Sequence, residues 1–251
     1  MPPSPAAPLR TLAVAALAIV ALLSTACIDS VITERGSGDL ETHDYEVGEF
    51  GSIQAHRALR VVVTVDPGAE PSVTVTMDGN LFEFLDVHTS GDTLVLDADR
   101  NIDPDDDAVV EVVTTALGDI EVSGAVSLDV TGGVAGETVL LRASGASRIR
   151  IDAVEGGHVD IEASGASRVA VAGGAIEDLE ADASGASSLD LEGVTVAGDA
   201  NLDLSGASHA DLRVAGNVEG DASGASSVTV HGDPESVDVS TSGASNVSIR
   251  R

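Results

Sequence analysis

A chain of 251 residues with 43% hydrophobic content has room for one large or two small domains around a packed core. Its 42 acidic residues against 12 basic ones, all of them Arg, give a formal charge of −30. That charge excludes nucleic acid as a partner, because it repels phosphate backbones instead of releasing their counterions; solubility, a salty habitat and cation binding remain open as its purpose.

Residues 1–26 carry one positive charge, Arg10, ahead of a mostly apolar stretch from Thr11 to Ala26 that ends in small residues, the pattern of a signal peptide. The stretch is 16 residues long, short of the roughly 20 that a spanning helix needs. The single cysteine, Cys27, closes "LLSTAC" and has no partner for an internal disulfide. This segment resembles a bacterial lipoprotein signal, with Thr25 and Ala26 before the cysteine, although Ser24 stands where Leu is more usual. The resemblance implies lipidation at Cys27 and a membrane-anchored protein facing the periplasm or cell exterior; free secretion and an uncleaved helix are the alternatives. Ile28 after Cys27 would favour the outer membrane in a bacterium that has two. The polar stretch that follows completes a tether over residues 27–43.

Residues 44–117 read as short strands separated by turn chemistry. "LRVVVTV" stops at Asp66-Pro67-Gly68, "SVTVTM" at Asp78-Gly79-Asn80, and "FEFLDVHTS" at Gly91-Asp92 before "TLVLDA". Tyr45, Phe50, Phe82 and Phe84 are the protein's only aromatics, which places the bulky core in this region.

From residue 118 to 251 the chain repeats. Ser-Gly-Ala begins at Ser123, Ser144, Ser164, Ser184, Ser205, Ser223 and Ser242, at spacings of 21, 20, 20, 21, 18 and 19 residues. One supersecondary unit is therefore stacked on copies of itself. Five and seven residues after each first Ser, thirteen of fourteen positions are Val, Ile or Leu, from Leu128/Val130 to Val247/Ile249. Three and one residues before it lies a second, thinner apolar face, from Ile120/Val122 to Val239/Thr241. Two inward-facing strand segments flank each Ser-Gly-Ala, so the motif is the corner of a parallel β-helix with about 20 residues per rung. Gly supplies positive φ there, Ala is small enough to stack, and the Ser hydroxyls bond along the stack or to the corner backbone. The 44–117 region would continue or cap this all-β helix.

Three stretches, "EVGEFGSIQA", "DGNLFEFLDVHTSGDTLVLDA" and "LGDIEVSGAVSLDV", together with the glycine-serine rungs, resemble the family of auto-transporter adhesin head GIN domains, over residues 45 to 250. The resemblance implies a right-handed parallel β-helix in an exported protein or lipoprotein. It carries no functional residues across.

Chemistry is sparse. A Ser nucleophile needs a base, yet the motif recurs seven times and a His follows it in one copy, at His209. The six His residues lack zinc-ligand spacing. In "NIDPDDD", Asp103, Asp105 and Asp107 alternate as calcium ligands do, but Asp106 and Val112 depart from the EF-hand pattern, and a solvated acidic turn is the competing reading. Four and two residues before each corner, ten of fourteen outward positions are carboxylates. Asp160, Glu162, Glu180, Asp182, Glu219 and Asp221 would stack without basic neighbours in the same columns, and Arg142 would interrupt an otherwise acidic run. They form either a calcium-binding ribbon or a solvated face that also prevents aggregation. The face after the corner is mixed, with Arg148, Arg150 and Arg168 on early rungs.

These features predict a surface-anchored, non-enzymatic, adhesin-like or structural protein that requires no cofactor, with calcium as the one conceivable ion. Its partners would be the membrane, through the lipid, and an envelope component, polysaccharide or other cell-surface molecule. A polysaccharide-active enzyme is the alternative, against which stand the lack of aromatics after Phe84 and the repetition of carboxylates that singles out no pair. A ligand-free envelope spacer or stress component is the third.

Overall fold

A computed structural model describes residues 33–104 and 108–251. The alternating apolar positions fold as read: stacked coils of about 20 residues build a parallel β-solenoid of about 7 turns. Strands entering the corner, from Ser52–Ala55 and Asp119–Val122 through Val154–Ala163 to Ser236–Thr241, form one parallel sheet. Strands leaving it, from Arg60–Val65 and Ser127–Thr131 through Arg168–Val171 to Asn246–Arg250, form a second. In the middle rungs a third side appears where Val134, Val154, Gly174 and Val194 lie in register.

Register turns the sequence offsets into columns. Leu128, Ile149, Val169, Leu189, Ala210 and Val228 are partners in succession, each at most 1% exposed. A single apolar core runs through all the rungs. Side chains of one column pack on the next at the inter-strand spacing, which favours in-register stacking over any slip, since a one-residue slip would turn the whole face outward.

The N-terminal region is a cap with its own topology. After the first rung (Ser52–Ala55, Arg60–Val65) the chain returns on the outer side of it: Thr93–Ala98 pairs parallel to Ser52–Ala55, and Val109–Thr114 parallel to Arg60–Val65. Antiparallel strands then cover the free edges, Leu85–Ser90 on Thr93–Ala98, and Ser72–Asp78 on Val109–Thr114 with Leu40–Tyr45 beyond. Met77 and Leu81, both fully buried, belong to the same core.

Four expectations change. Thr33–Arg35 and residues 40–43, read as tether, lie in strands, Thr33–Arg35 pairing with Asn101–Asp103 and Leu40–Tyr45 with Ser72–Asp78. The start of "FEFLDVHTS" is not strand: Gly79–Phe84 is a 3-10 turn, and the strand begins at Leu85. Of the aromatics only Phe50 is buried, while Tyr45, Phe82 and Phe84 sit at the margin of a core built from aliphatics along the whole solenoid. The corner Ala is exposed; the second Ser is the residue that turns inward, with Ser147, Ser167, Ser187, Ser208 and Ser226 at most 2% exposed. No described helix is long and apolar enough to cross a membrane.

Candidate functional site

The corner is the unit from which every surface column is built. All seven corner glycines have positive φ, between 74° and 84°. Six corner Ala residues, from Ala146 on Gly124 to Ala244 on Gly224, donate their N–H to the glycine carbonyl of the preceding rung at 2.7 Å, and Ala125 donates to Arg57 O at 2.6 Å. Inward Ser hydroxyls turn back on the corner, Ser147 Oγ donating to Ser144 O at 2.7 Å and Ser208 Oγ to Ser205 O at 2.7 Å, except at Ser167, whose Oγ donates to Ala143 O of the preceding rung at 3.1 Å. They satisfy partly buried backbone acceptors, and the hydroxyls themselves are shielded from solvent.

An eighth corner escaped the sequence reading. His56-Arg57-Ala58 stands where later rungs have Ser-Gly-Ala, and Ser52–Ala55 and Arg60–Val65 pair with the rung of Ser123. Arg57, at φ 74°, is the one non-glycine with positive φ among the described residues. Its Nε donates to Asp97 Oδ1 at 3.2 Å and to Ala98 O at 3.1 Å, which ties the corner to the cap. The signal was present: Ile53, Ala55, Val61 and Val63 stand at the offsets of a corner. Beside it lies a cleft of about 600 Å³ lined by His56, Arg57, Asp97, Asn101, Asp103 and Ser123. His56 Nδ1 is 2.6 Å from Ser123 Oγ, so the Ser–His contact the structure makes lies between rungs, while His209 instead meets Asp211 at 2.9 Å. Among the described residues no carboxylate orients His56.

The acidic columns form as expected, with Asp160 on Glu180 and Glu162 on Asp182 in register. Glu219 and Asp221 continue them two rungs on, across Asn201 and Asp203. One expectation is corrected: Glu162 does have a basic column neighbour, since Arg142 is its register partner and donates to it at 2.8 Å. That hydrogen bond holds the Glu162 carboxyl below its ordinary value. Partial burial first, then the charges of Glu162 and Glu180, raise Asp160; partial burial and the charges of Asp203 and Glu180 raise Asp182. The acids repel one another along a flat sheet, and the described residues hold no group of three ligands converging on a metal. Asp103 lies apart, paired with Arg35 at 3.8 Å. Asp105, Asp107 and Cys27 fall outside the described residues.

Across the corner the first outward column is the opposite in character. Ser127, Arg148, Arg168, Ser188, His209, Ser227 and Asn246 follow one another in register, every one a hydrogen-bond donor and none a carboxylate. Arg148 and Arg168 are adjacent and exposed, and no described carboxylate pairs with either, whereas Arg150, one column over, is held by Asp129 at 3.2 Å.

Comparison with known proteins places this geometry. The family model described as "Putative auto-transporter adhesin, head GIN domain" matches residues 49–234. A crystal structure of a "putative adhesin" from Bacteroides fragilis is similar over 86% of this chain and 99% of its own, at TM-score 0.77 and 16% identity. A "putative adhesin" from Parabacteroides merdae covers 87% and 99%, at 0.67 and 15%. A "putative lipid binding protein" from Parabacteroides distasonis covers 88% and 100%, at 0.63 and 14%. At such identities the likeness is one of fold. No curated protein matches the chain.

Proposed function

Since the chain belongs to the auto-transporter adhesin head GIN domain family, we propose that it is an adhesin-like binding module, non-enzymatic and held at the cell surface by a lipid on Cys27. The observation that carries the reading is the carboxylate-free donor column of Ser127, Arg148, Arg168, Ser188 and His209 on a chain of net charge −30. One donor per rung, repeated at ~4.8 Å on a rigid sheet, suits an extended polymer with hydroxyl or carboxylate groups at short regular intervals. An envelope or extracellular polysaccharide has that chemistry. An enzyme concentrates its chemistry at one place; this surface repeats it.

The test is retention of a panel of polyuronate and neutral polysaccharides on the immobilised protein, compared with Arg148→Ser/Arg168→Ser. Those changes copy the residues found on the neighbouring rungs, so the sheet is kept. Retention without shortening of the polymer, reduced at least about tenfold in the double variant, is expected. Release of shortened products would replace this reading with the enzymatic one, and no retention would leave a spacer.

A further inference from the structure

The two ends of the solenoid are finished differently. The N-terminal end is covered by antiparallel strands, as described above. At the other end Ser236–Thr241 and Asn246–Arg250 pair with the preceding rung and with no described strand beyond. No described residue covers the end of the core that their inward residues form. Val237, Val239 and Val247 are only partly buried and Ile249 is 49% exposed, whereas Val218, Val228 and Val230, one rung earlier, are fully buried.

The backbone at this end is equally unfinished. In a parallel ladder both polar groups of one residue face the same neighbour, and successive residues alternate. Asn246 N donates back to Ser226 O at 3.0 Å, Arg250 O accepts from Gly232 N at 3.0 Å, and Ser242 N donates back to Ala222 O at 2.9 Å. Val237, Val239, Val247 and Ile249 therefore aim their N–H and C=O groups at the open edge. Natural edges are guarded by proline, inward charges or bulges; these two strands have none.

We propose that this end is an interface for a second copy of the same chain, joined edge to edge about a two-fold axis through the Ser242-Gly243-Ala244 corner. One strand runs towards that corner and the other away from it. The axis therefore sets 236–241 of each copy antiparallel to 246–250 of its partner, the arrangement that hairpin edges adopt. It also brings Arg250, and Arg251, whose Nε lies 3.3 Å from Asp233 of its own copy, beside the Glu235 and Asp238 end of the other. Charge selects the location. In a molecule of net charge −30, residues 232–251 contain three acids, Asp233, Glu235 and Asp238, against two Arg, so the segment is close to neutral and like-charge repulsion between copies is weak here. Residues 232–251 supply about 20 residues per copy, the number a standard interface uses on each side. This inference is independent of the lateral polysaccharide reading: self-association and polymer retention are separate measurements, and either can fail alone.

The test is sedimentation analysis of the purified chain from about 1 µM to about 1 mM. A monomer–dimer equilibrium is expected. Val247→Pro deletes an N–H that the monomer leaves unused, so the rung stays intact, while the dimer dissociation constant rises at least about tenfold. Arg250→Glu/Arg251→Glu weakens the dimer as well, and adding Glu235→Arg/Asp238→Arg restores it, a readout that holds even if the proline variant misfolds. A monomer throughout, growth beyond dimers, or association indifferent to residue 247 and to the charge exchange would overturn the proposal.

Discussion

Replacing Gly185 by Ala is the sharpest test of why the corner repeats. Gly185 has φ +75°, and a Cβ built there would lie 2.5 Å from Gly165 O and 3.2 Å from its C and N. The left-handed backbone costs an L-residue about 1–2 kcal/mol. The contact adds about 1–3 kcal/mol, because the obstructing atom is a ladder carbonyl that cannot move without breaking the Ala186 N to Gly165 O bond of 2.7 Å. Gly91 separates the two costs: its φ is +63°, but nothing lies within 4 Å of its would-be Cβ. At roughly 2–4 °C per kcal/mol for a domain of this size, Gly91→Ala is expected to lower the melting temperature by about 2–8 °C and Gly185→Ala by about 4–20 °C. The assay is thermal unfolding of both variants beside wild type, followed by far-ultraviolet circular dichroism. Arg57 already shows that a side chain at positive φ is tolerated at the first corner, where no glycine corner is stacked outside it. Equal losses in the two variants would therefore refute the stacking argument and leave only the φ term.

The acidic columns make stability pH-dependent in a stated direction. Asp160 and Asp182 titrate above their ordinary 3.8, so the folded state binds protons more readily than the unfolded one there, and melting temperature is expected to rise as pH falls from 7 towards that value. The lowered Glu162 contributes the opposite slope, stability present above 4.5 and lost as pH falls further, so an optimum on the acid side is expected, and Asp182→Asn should flatten the rise. A melting temperature that falls monotonically from pH 7 downward would contradict this. Calcium and sodium chloride at matched ionic strength are expected to raise the melting temperature equally, as screening does; a calcium-specific increment lost in Glu180→Asn/Asp182→Asn would make the columns a site. Cys27→Ser is expected to abolish membrane attachment, and retention of that variant in the membrane fraction after carbonate washing would end the lipoprotein reading.

How much was legible in advance follows from the distance over which contacts are made. In a solenoid the spatial neighbour of a residue is the one about 20 positions along the chain, so offset arithmetic and strand register are the same operation. That is why the apolar columns through Leu128 and Ile149, the glycine corners and the Asp160–Glu180 stack were readable from residue types alone. The periodic part needs no knowledge of the rest, because each rung meets only its two neighbours. The donor column beside the corner was legible residue by residue, but its significance depended on learning that Arg150 is held by Asp129 while no described carboxylate pairs with Arg148 or Arg168.

Tertiary structure alone decided what breaks the period. Thr93–Ala98 and Val109–Thr114 lie outside Ser52–Ala55 and Arg60–Val65 although they follow them in the chain, because the first rung had a free edge that later strands covered. That choice tied Arg57 to Asp97 and Ala98, while pairing with the rung of Ser123 made His56-Arg57-Ala58 a corner and set His56 against Ser123, and pairing with Ser72–Asp78 made Leu40–Tyr45, whose residues 40–43 read as tether, an edge strand. Tertiary structure also decided the direction of the Ser hydroxyls, which turn to the corner carbonyl within reach. A repeat specifies its neighbours on both sides, and only the fold shows that Val247 and Ile249 have a described neighbour on one.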